Sequence, residues 1–181
     1  RLKDMKRWVR KMLVLFPFEE KFYQDAGIPV EYVGHPLVEV LNDLQPSATT
    51  RADLGYNPED TLVGLLPGSR ESELRRLLPV LFEAAGHIQK KLPEVNFILP
   101  LAETLSRAQL GQLPPHLNIR VIENPAYTHR AMLDFALTAS GTATLENAVF
   151  GVPMAVIYRT NPLTYRMARQ LIRLDHIGMV N

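Results

Sequence analysis

Twice in this chain a short apolar run ends in a glycine-containing turn and passes straight into a helix-compatible segment. The first run covers residues 61–66, turns at Pro67-Gly68-Ser69-Arg70 and enters a long amphipathic stretch. The second covers residues 135–139, turns at Ser140-Gly141-Thr142 and continues through Ala143-Thr144-Leu145-Glu146. Further apolar runs at 95–99, 119–122 and 154–158 alternate with helix-compatible segments at 102–113 and 128–135. Strands alternating with helices predict an α/β fold with a Rossmann-like, doubly wound, mostly parallel sheet. Ligands of such sheets gather beyond the C-terminal ends of the strands, where both glycine turns lie.

The helix after Arg70 is the most regular element. Leu74, Leu77, Leu78, Leu81, Phe82, Ala85, Ile88 and Leu92 keep a helical period. Glu71 and Glu73 open it and Lys90 and Lys91 close it, as the helix dipole favours. Pro79 falls inside the pattern and predicts a kink. After the run at 154–158, Asn161 and Pro162 supply an N-cap and first turn for a last helix, and 177–180 reads as a final strand.

Upstream, residues 12–16, 18–26 and 30–33 read as one β-α-β unit. The segment before it is basic, with Arg1, Lys3, Lys6, Arg7, Arg10 and Lys11 against Asp4, and its apolar residues fall at helical spacing. It reads either as a core-packed helix with a solvated basic face or as a surface near anionic phospholipid or an acidic substrate. Residues 38–58 read as polar and broken, which places a linker at 35–48 between a first domain, 1–34, and a second, 49–181. The chain opens inside a helix and stops just after a strand, so a piece of a longer protein is expected, with the second domain incomplete at its end.

With 46% hydrophobic and 22% charged residues among 181, the chain suits a globular protein with a real core. A net charge of +1 gives no reason to expect nucleic acid as a partner. No cysteine is present, so disulfides and thiolate metal sites are excluded and a reducing compartment fits. No apolar run approaches the roughly 18 residues that span a bilayer.

The chemistry concentrates at the two turns. A turn that opens a helix leaves backbone N–H groups at the positive end of its dipole, a setting that favours phosphate. Gly141 lets a ligand approach the backbone, Ser140, Thr142 and Thr144 offer hydroxyls, and Glu146 can accept ribose hydroxyls. Gly68 and Ser69 shape the other turn, and Arg70 offers a forked cation for a diphosphate. An N-capped helix with a satisfied Glu, and a loop whose Arg pairs with Glu71 or Glu73, are the structural alternatives that spacing leaves open. Neither turn is a Walker loop or a dinucleotide fingerprint. The five histidines lack ligand spacing, so no metal or other cofactor is expected. His35, in Gly34-His35-Pro36, stands in a suggestive loop, though structural roles are commoner for such residues. No nucleophile elbow occurs.

Taken in order, Phe16-Pro17-Phe18-Glu19, Val33-Gly34-His35-Pro36-Leu37, Leu65-Leu66-Pro67-Gly68-Ser69-Arg70-x-x-Glu73, Ala139-Ser140-Gly141-Thr142-Ala143-Thr144-Leu145-Glu146 and Tyr158-Arg159-x-x-Pro162-Leu163-Thr164-Tyr165 closely resemble the lipid-A-disaccharide synthases. The resemblance covers essentially the whole chain. It implies an inverting glycosyltransferase of GT-B type, represented by the last β-α-β piece of its N-terminal domain and most of its C-terminal domain. The family joins UDP-linked diacylglucosamine to diacylglucosamine 1-phosphate, giving the β-1,6 lipid A disaccharide and UDP. Carried over, Gly68, Ser69 and Arg70 face the diphosphate. Ser140, Gly141, Thr142 and Ala143 hold phosphate through their N–H groups, Glu146 takes the ribose, and Ile122 borders the uracil. Arg70 and Asn181 are implied in the active site. The family's proposed general base is an Asp outside this chain, so the chain alone is expected to be inactive. Acylated substrates imply a peripheral place on the cytoplasmic face of a Gram-negative inner membrane, with phospholipid as a partner and a homodimer left open. Another UDP-sugar enzyme of the same fold remains an alternative, either a UDP-N-acetylglucosamine 2-epimerase or the peptidoglycan glucosaminyltransferase. A UDP-binding module without chemistry is a further one.

Overall fold

A computed structural model of the chain describes residues 2–43, 51–123 and 125–159. Asn181, the last helix, the final strand and the end of the last motif lie outside them. The chain divides into two compact units, Arg1–Gln45 and Pro46–Asn181.

In the first unit, helix α1 (Leu2–Trp8) precedes strand β1 (Met12–Val14), helix α2 (Pro17–Asp25), strand β2 (Val30–Tyr32) and helix α3 (Pro36–Asp43). β1 and β2 pair in parallel, Met12 opposite Val30, which makes the expected β-α-β unit. α1 buries none of its residues, so it is not the core-packed helix its spacing suggests, and Trp8 stands exposed beneath the Arg7 guanidinium. Residues 36–43, read as part of a linker, are helical. Pro36 suits the first turn, the His35 ring nitrogen Nδ1 accepts the Leu37 N–H at 3.1 Å, and Leu41 is buried. His35 also packs on Phe16, so its described role is structural.

The second unit holds a five-stranded parallel sheet in the order β5-β4-β3-β6-β7. The strands are β3 (Leu62–Leu66), β4 (Asn96–Leu101), β5 (Ile119–Glu123), β6 (Phe135–Ala139) and β7 (Met154–Ile157). Helix α4 (Glu71–Lys91) follows β3, and helix α5 (Thr142–Val149) follows β6. β3 reads as a continuous apolar run because both its faces are covered. Val63 and Leu65 enter a core with Phe97, Leu99 and the α4 residues Leu74, Leu77, Leu78, Leu81 and Ala85. Leu62 and Leu66 face the opposite way, into a core with Ile98, Met132, Leu133, Ala136 and Val152. Gly64 lies between them because a Cβ there would meet Leu133 at 2.6 Å. Each fully buried aliphatic contributes roughly 1.5–3 kcal/mol, so these two layers fix the sheet that carries the turns.

α4 continues through Pro79, whose missing N–H costs one rung without ending the helix. Two predicted helices are shorter than expected. Residues 102–113 hold only a 3-10 turn, Arg107–Leu110, started at Ser106 and stopped at Gly111 with φ 65°. Residues 128–135 give the 3-10 turn Tyr127–Met132, and Phe135 already belongs to β6. In both cases too few apolar positions recur to pay out a full amphipathic face.

Candidate functional site

The sheet begins at β3, grows outward through β4 and β5, then returns to the other side of β3 as β6 and β7. The switch point is therefore between the C-terminal ends of β3 and β6. A cleft of about 670 Å³ opens there, lined by both glycine turns. Gly68, Ser69 and Arg70 form one wall, and Ser140, Gly141, Thr142, Ala143 and Glu146 another. The structure thus brings together every described residue expected at the site except Ile122. Ile122 packs against the Leu62–Leu66 core face, and Pro125, Ala126 and Tyr127, which follow it in the chain, line the cleft.

The first turn is built by Glu73. Its Oε2 accepts the backbone N–H of Ser69 at 3.2 Å and of Arg70 at 3.3 Å. Gly68 has φ 105°, and any Cβ there would collide with that carboxylate, so glycine is required on both counts. The Thr104 hydroxyl donates to the Ser69 carbonyl at 2.6 Å and ties the turn to the loop after β4. Arg70 itself is 79% exposed, and its guanidinium meets Glu73 Oε1 at 3.2 Å. An exposed pair of this kind is worth about 0–1 kcal/mol. So weak a pairing leaves the guanidinium open to a further anionic partner.

At the second turn α5 opens with Thr142 and Ala143, whose N–H groups have no carbonyl one turn earlier in the helix to accept them. A Cβ at Gly141 would meet nothing within 4 Å, so the glycine answers to its backbone conformation, φ 159° and ψ −161°, rather than to packing. Thr144, read as a donor to a ligand, serves the turn instead. It is buried, and its hydroxyl donates to the Gly141 carbonyl at 2.7 Å, so it shapes the turn and offers no donor to a ligand.

Glu146 lies on the cleft floor in a pairing that sequence reading missed. Arg130, from the turn Tyr127–Met132, places its Nη2 2.5 Å from Glu146 Oε2, and the side chains are 16% and 10% exposed. Arg130 Nη1 also reaches the buried Asn147 Oδ1 at 3.4 Å. Next to it, His129 Nδ1 lies 3.0 Å from the Ala126 carbonyl. A carbonyl only accepts, so Nδ1 carries a proton. Both residues line the cleft. The signal available for them was position alone, two basic residues just ahead of a strand whose far end carries the turn. Among the described residues no group of His, Asp and Glu is arranged to hold a metal ion.

A parallel sheet with its cleft at the switch point, walled by two helix N-termini and basic side chains, defines a Rossmann-like domain of the class that receives phosphorylated ligands at this edge. The chain belongs to the lipid-A-disaccharide synthetase family, whose model matches residues 1–181. It is 42% identical to the lipid-A-disaccharide synthase of Geobacter sulfurreducens over 100% of this chain and 48% of that protein. It is 46% identical to the enzyme of that name from Nitrosococcus oceani over 96% of this chain and 45% of that one. The chain therefore spans about half the length of these relatives. The crystal structure of the GtfA/B complex is similar in fold, with a TM-score of 0.51 and 11% identity, covering 98% of this chain and 35% of that one.

Proposed function

We propose that this chain carries the donor-nucleotide side of a glycosyltransferase of lipid A synthesis. In this reading the whole enzyme moves 2,3-diacylglucosamine from UDP to 2,3-diacylglucosamine 1-phosphate, forming the β-1,6 disaccharide and releasing UDP. The observation that carries it is the cleft at the switch point, where Arg70 and the N-terminus of α5 face one volume. Displacement at an anomeric carbon needs a base for the acceptor hydroxyl and positive potential for the departing diphosphate. The cleft supplies the second requirement through N–H groups of Thr142 and Ala143 and the guanidinium of Arg70. Ser69 and Ser140 flank the same anion, Glu146 takes the ribose, and Asn181 completes the site. The base belongs to the part of the protein outside this chain. Residues 1–34 are then the end of the N-terminal domain, and 49–181 the nucleotide-sugar domain.

Acylated substrates place the work at a membrane surface. Among the described residues no helix is long and apolar enough to cross a membrane. The basic face around α1 suits peripheral contact with acidic phospholipid.

The test uses the full-length protein with UDP-diacylglucosamine and the acceptor, in excess EDTA, with mass analysis of the product. Release of UDP with formation of a tetra-acylated disaccharide phosphate is expected. An epimerised UDP-sugar, or turnover that stops on chelation, would overturn the reading.

A further inference from the structure

Glu146 enters the cleft already half-engaged. Its Oε2 is buried and lies against the Arg130 guanidinium, at an angle outside hydrogen-bond geometry. Arg130 is itself bound to Asn147, the next residue of α5, which is fully buried and whose Nδ2 rests near Met154 Sδ at 3.9 Å. One arginine thus spans two consecutive residues of the helix that opens the cleft. A carboxylate on a free side chain would rotate and present either oxygen. Here the cation holds Oε2 toward the protein, while Glu146 lines the cleft.

We infer that Arg130 is a positioning residue that makes Glu146 a one-oxygen reader of the nucleotide's ribose hydroxyls. This rests on the nucleotide-site reading above and deepens it. A fixed carboxylate acceptor distinguishes a ribonucleotide from one lacking a hydroxyl, because the deoxy ligand leaves an oxygen of a side chain only 10% exposed without a donor. A carboxylate free to turn accepts water instead and discriminates weakly. The substrate class implied is a ribonucleoside diphosphate, and the pair supplies selectivity for the sugar of the nucleotide rather than affinity for its phosphates.

The experiment is calorimetric titration of the full-length protein with UDP, 2′-deoxy-UDP and 3′-deoxy-UDP, comparing wild type with Arg130→Met, Arg130→Lys and Glu146→Gln. Wild type is expected to prefer UDP to at least one deoxy analogue by about tenfold, the factor for one charge-assisted hydrogen bond. Arg130→Met and Glu146→Gln lose that preference while binding the deoxy analogue nearly as wild type does. Arg130→Lys keeps the cation and restores part of the preference, which also serves where the methionine variant fails to fold. If Arg130→Met weakens all three ligands equally and keeps the ratio, the residue is merely structural and the inference fails. If wild type binds UDP without discrimination, the inference fails while the nucleotide site stands. If wild type binds none of the three, the nucleotide-site reading falls first and takes the inference with it.

Discussion

Arg51 and Arg70 stand at opposite edges of the same sheet and use the same side chain in opposite ways. At the edge where β3 and β6 begin, Arg51 Nη1 donates to the carbonyls of Pro58 at 2.9 Å and Asp60 at 2.6 Å. Its Nη2 donates to the Met132 carbonyl at 2.8 Å and to Asp134 Oδ1 at 2.7 Å. Asp134 Oδ2 in turn accepts the Leu62 N–H at 2.8 Å, and the Asp134 N–H donates to the Leu62 carbonyl at 2.9 Å. The knot staples the starts of two strands and is filled by the protein's own groups. At the edge where those strands end, Arg70 meets Glu73 at 3.2 Å, the turns contain glycine, and the helix opens with N–H groups that no carbonyl earlier in the helix can accept. A charged side chain whose acceptors come from its own fold stabilises. One that is exposed in a cleft, with a weak partner easily displaced, is equipped to bind.

The comparison is sharpened first at Arg70. Arg70→Ala is expected to cut turnover of the full-length enzyme by about 10²-fold, the scale of losing one donor to a developing anion. Its unfolding free energy should stay within about 0.5 kcal/mol of wild type, as for exposed positions. A variant that unfolds early, with normal turnover per folded molecule, would reverse the assignment.

Asp134→Ala is the converse and the next largest effect. It removes an acceptor from Arg51 and another from the β3 backbone, and partial exposure moderates the cost to about 2 kcal/mol. Urea unfolding measures it, and UDP affinity of the folded protein should be unchanged. Loss of UDP affinity without loss of stability would break the division between the two edges.

The smallest effect lies at Tyr56, which packs against the Leu62–Leu66 core face with Arg120 over its ring at 5.9 Å. Burial raises its phenol above the usual 10.0, against the lowering pull of Arg120. The unfolded chain therefore ionises first. The stability this gives is complete below pH 10 and declines as pH rises from there through the higher folded value. Tyr56→Phe should flatten the alkaline fall seen in urea titrations. An identical slope in both proteins would show that another group governs it.

The sequence was most legible where local pattern and tertiary demand coincide. Both glycine turns could be placed because a fully buried strand must end abruptly and a helix must then be capped. α3 was legible too, in Pro36 and the spacing of Leu37, Val38 and Leu41, but the polar residues beyond it masked the signal. The stretches around 107–110 and 127–132 misled because a few apolar residues fit a helical period without filling a face. The Arg130–Glu146 pair was beyond reach. Its partners sit sixteen positions apart on different elements, with no local repeat to join them, and only the crossing from β6 into α5 brings them together.

The central claim is that one edge of the sheet binds the donor nucleotide and the other only holds the sheet together. Hydrogen–deuterium exchange of the full-length protein, with and without saturating UDP, tests it directly. The account predicts slowed exchange at Ser69, Arg70, Thr142 and Ala143, and no change across residues 51–62 and at Asp134. Saturation of the protein by UDP with those turn amides unaltered, or with protection at the Arg51 knot instead, would contradict it.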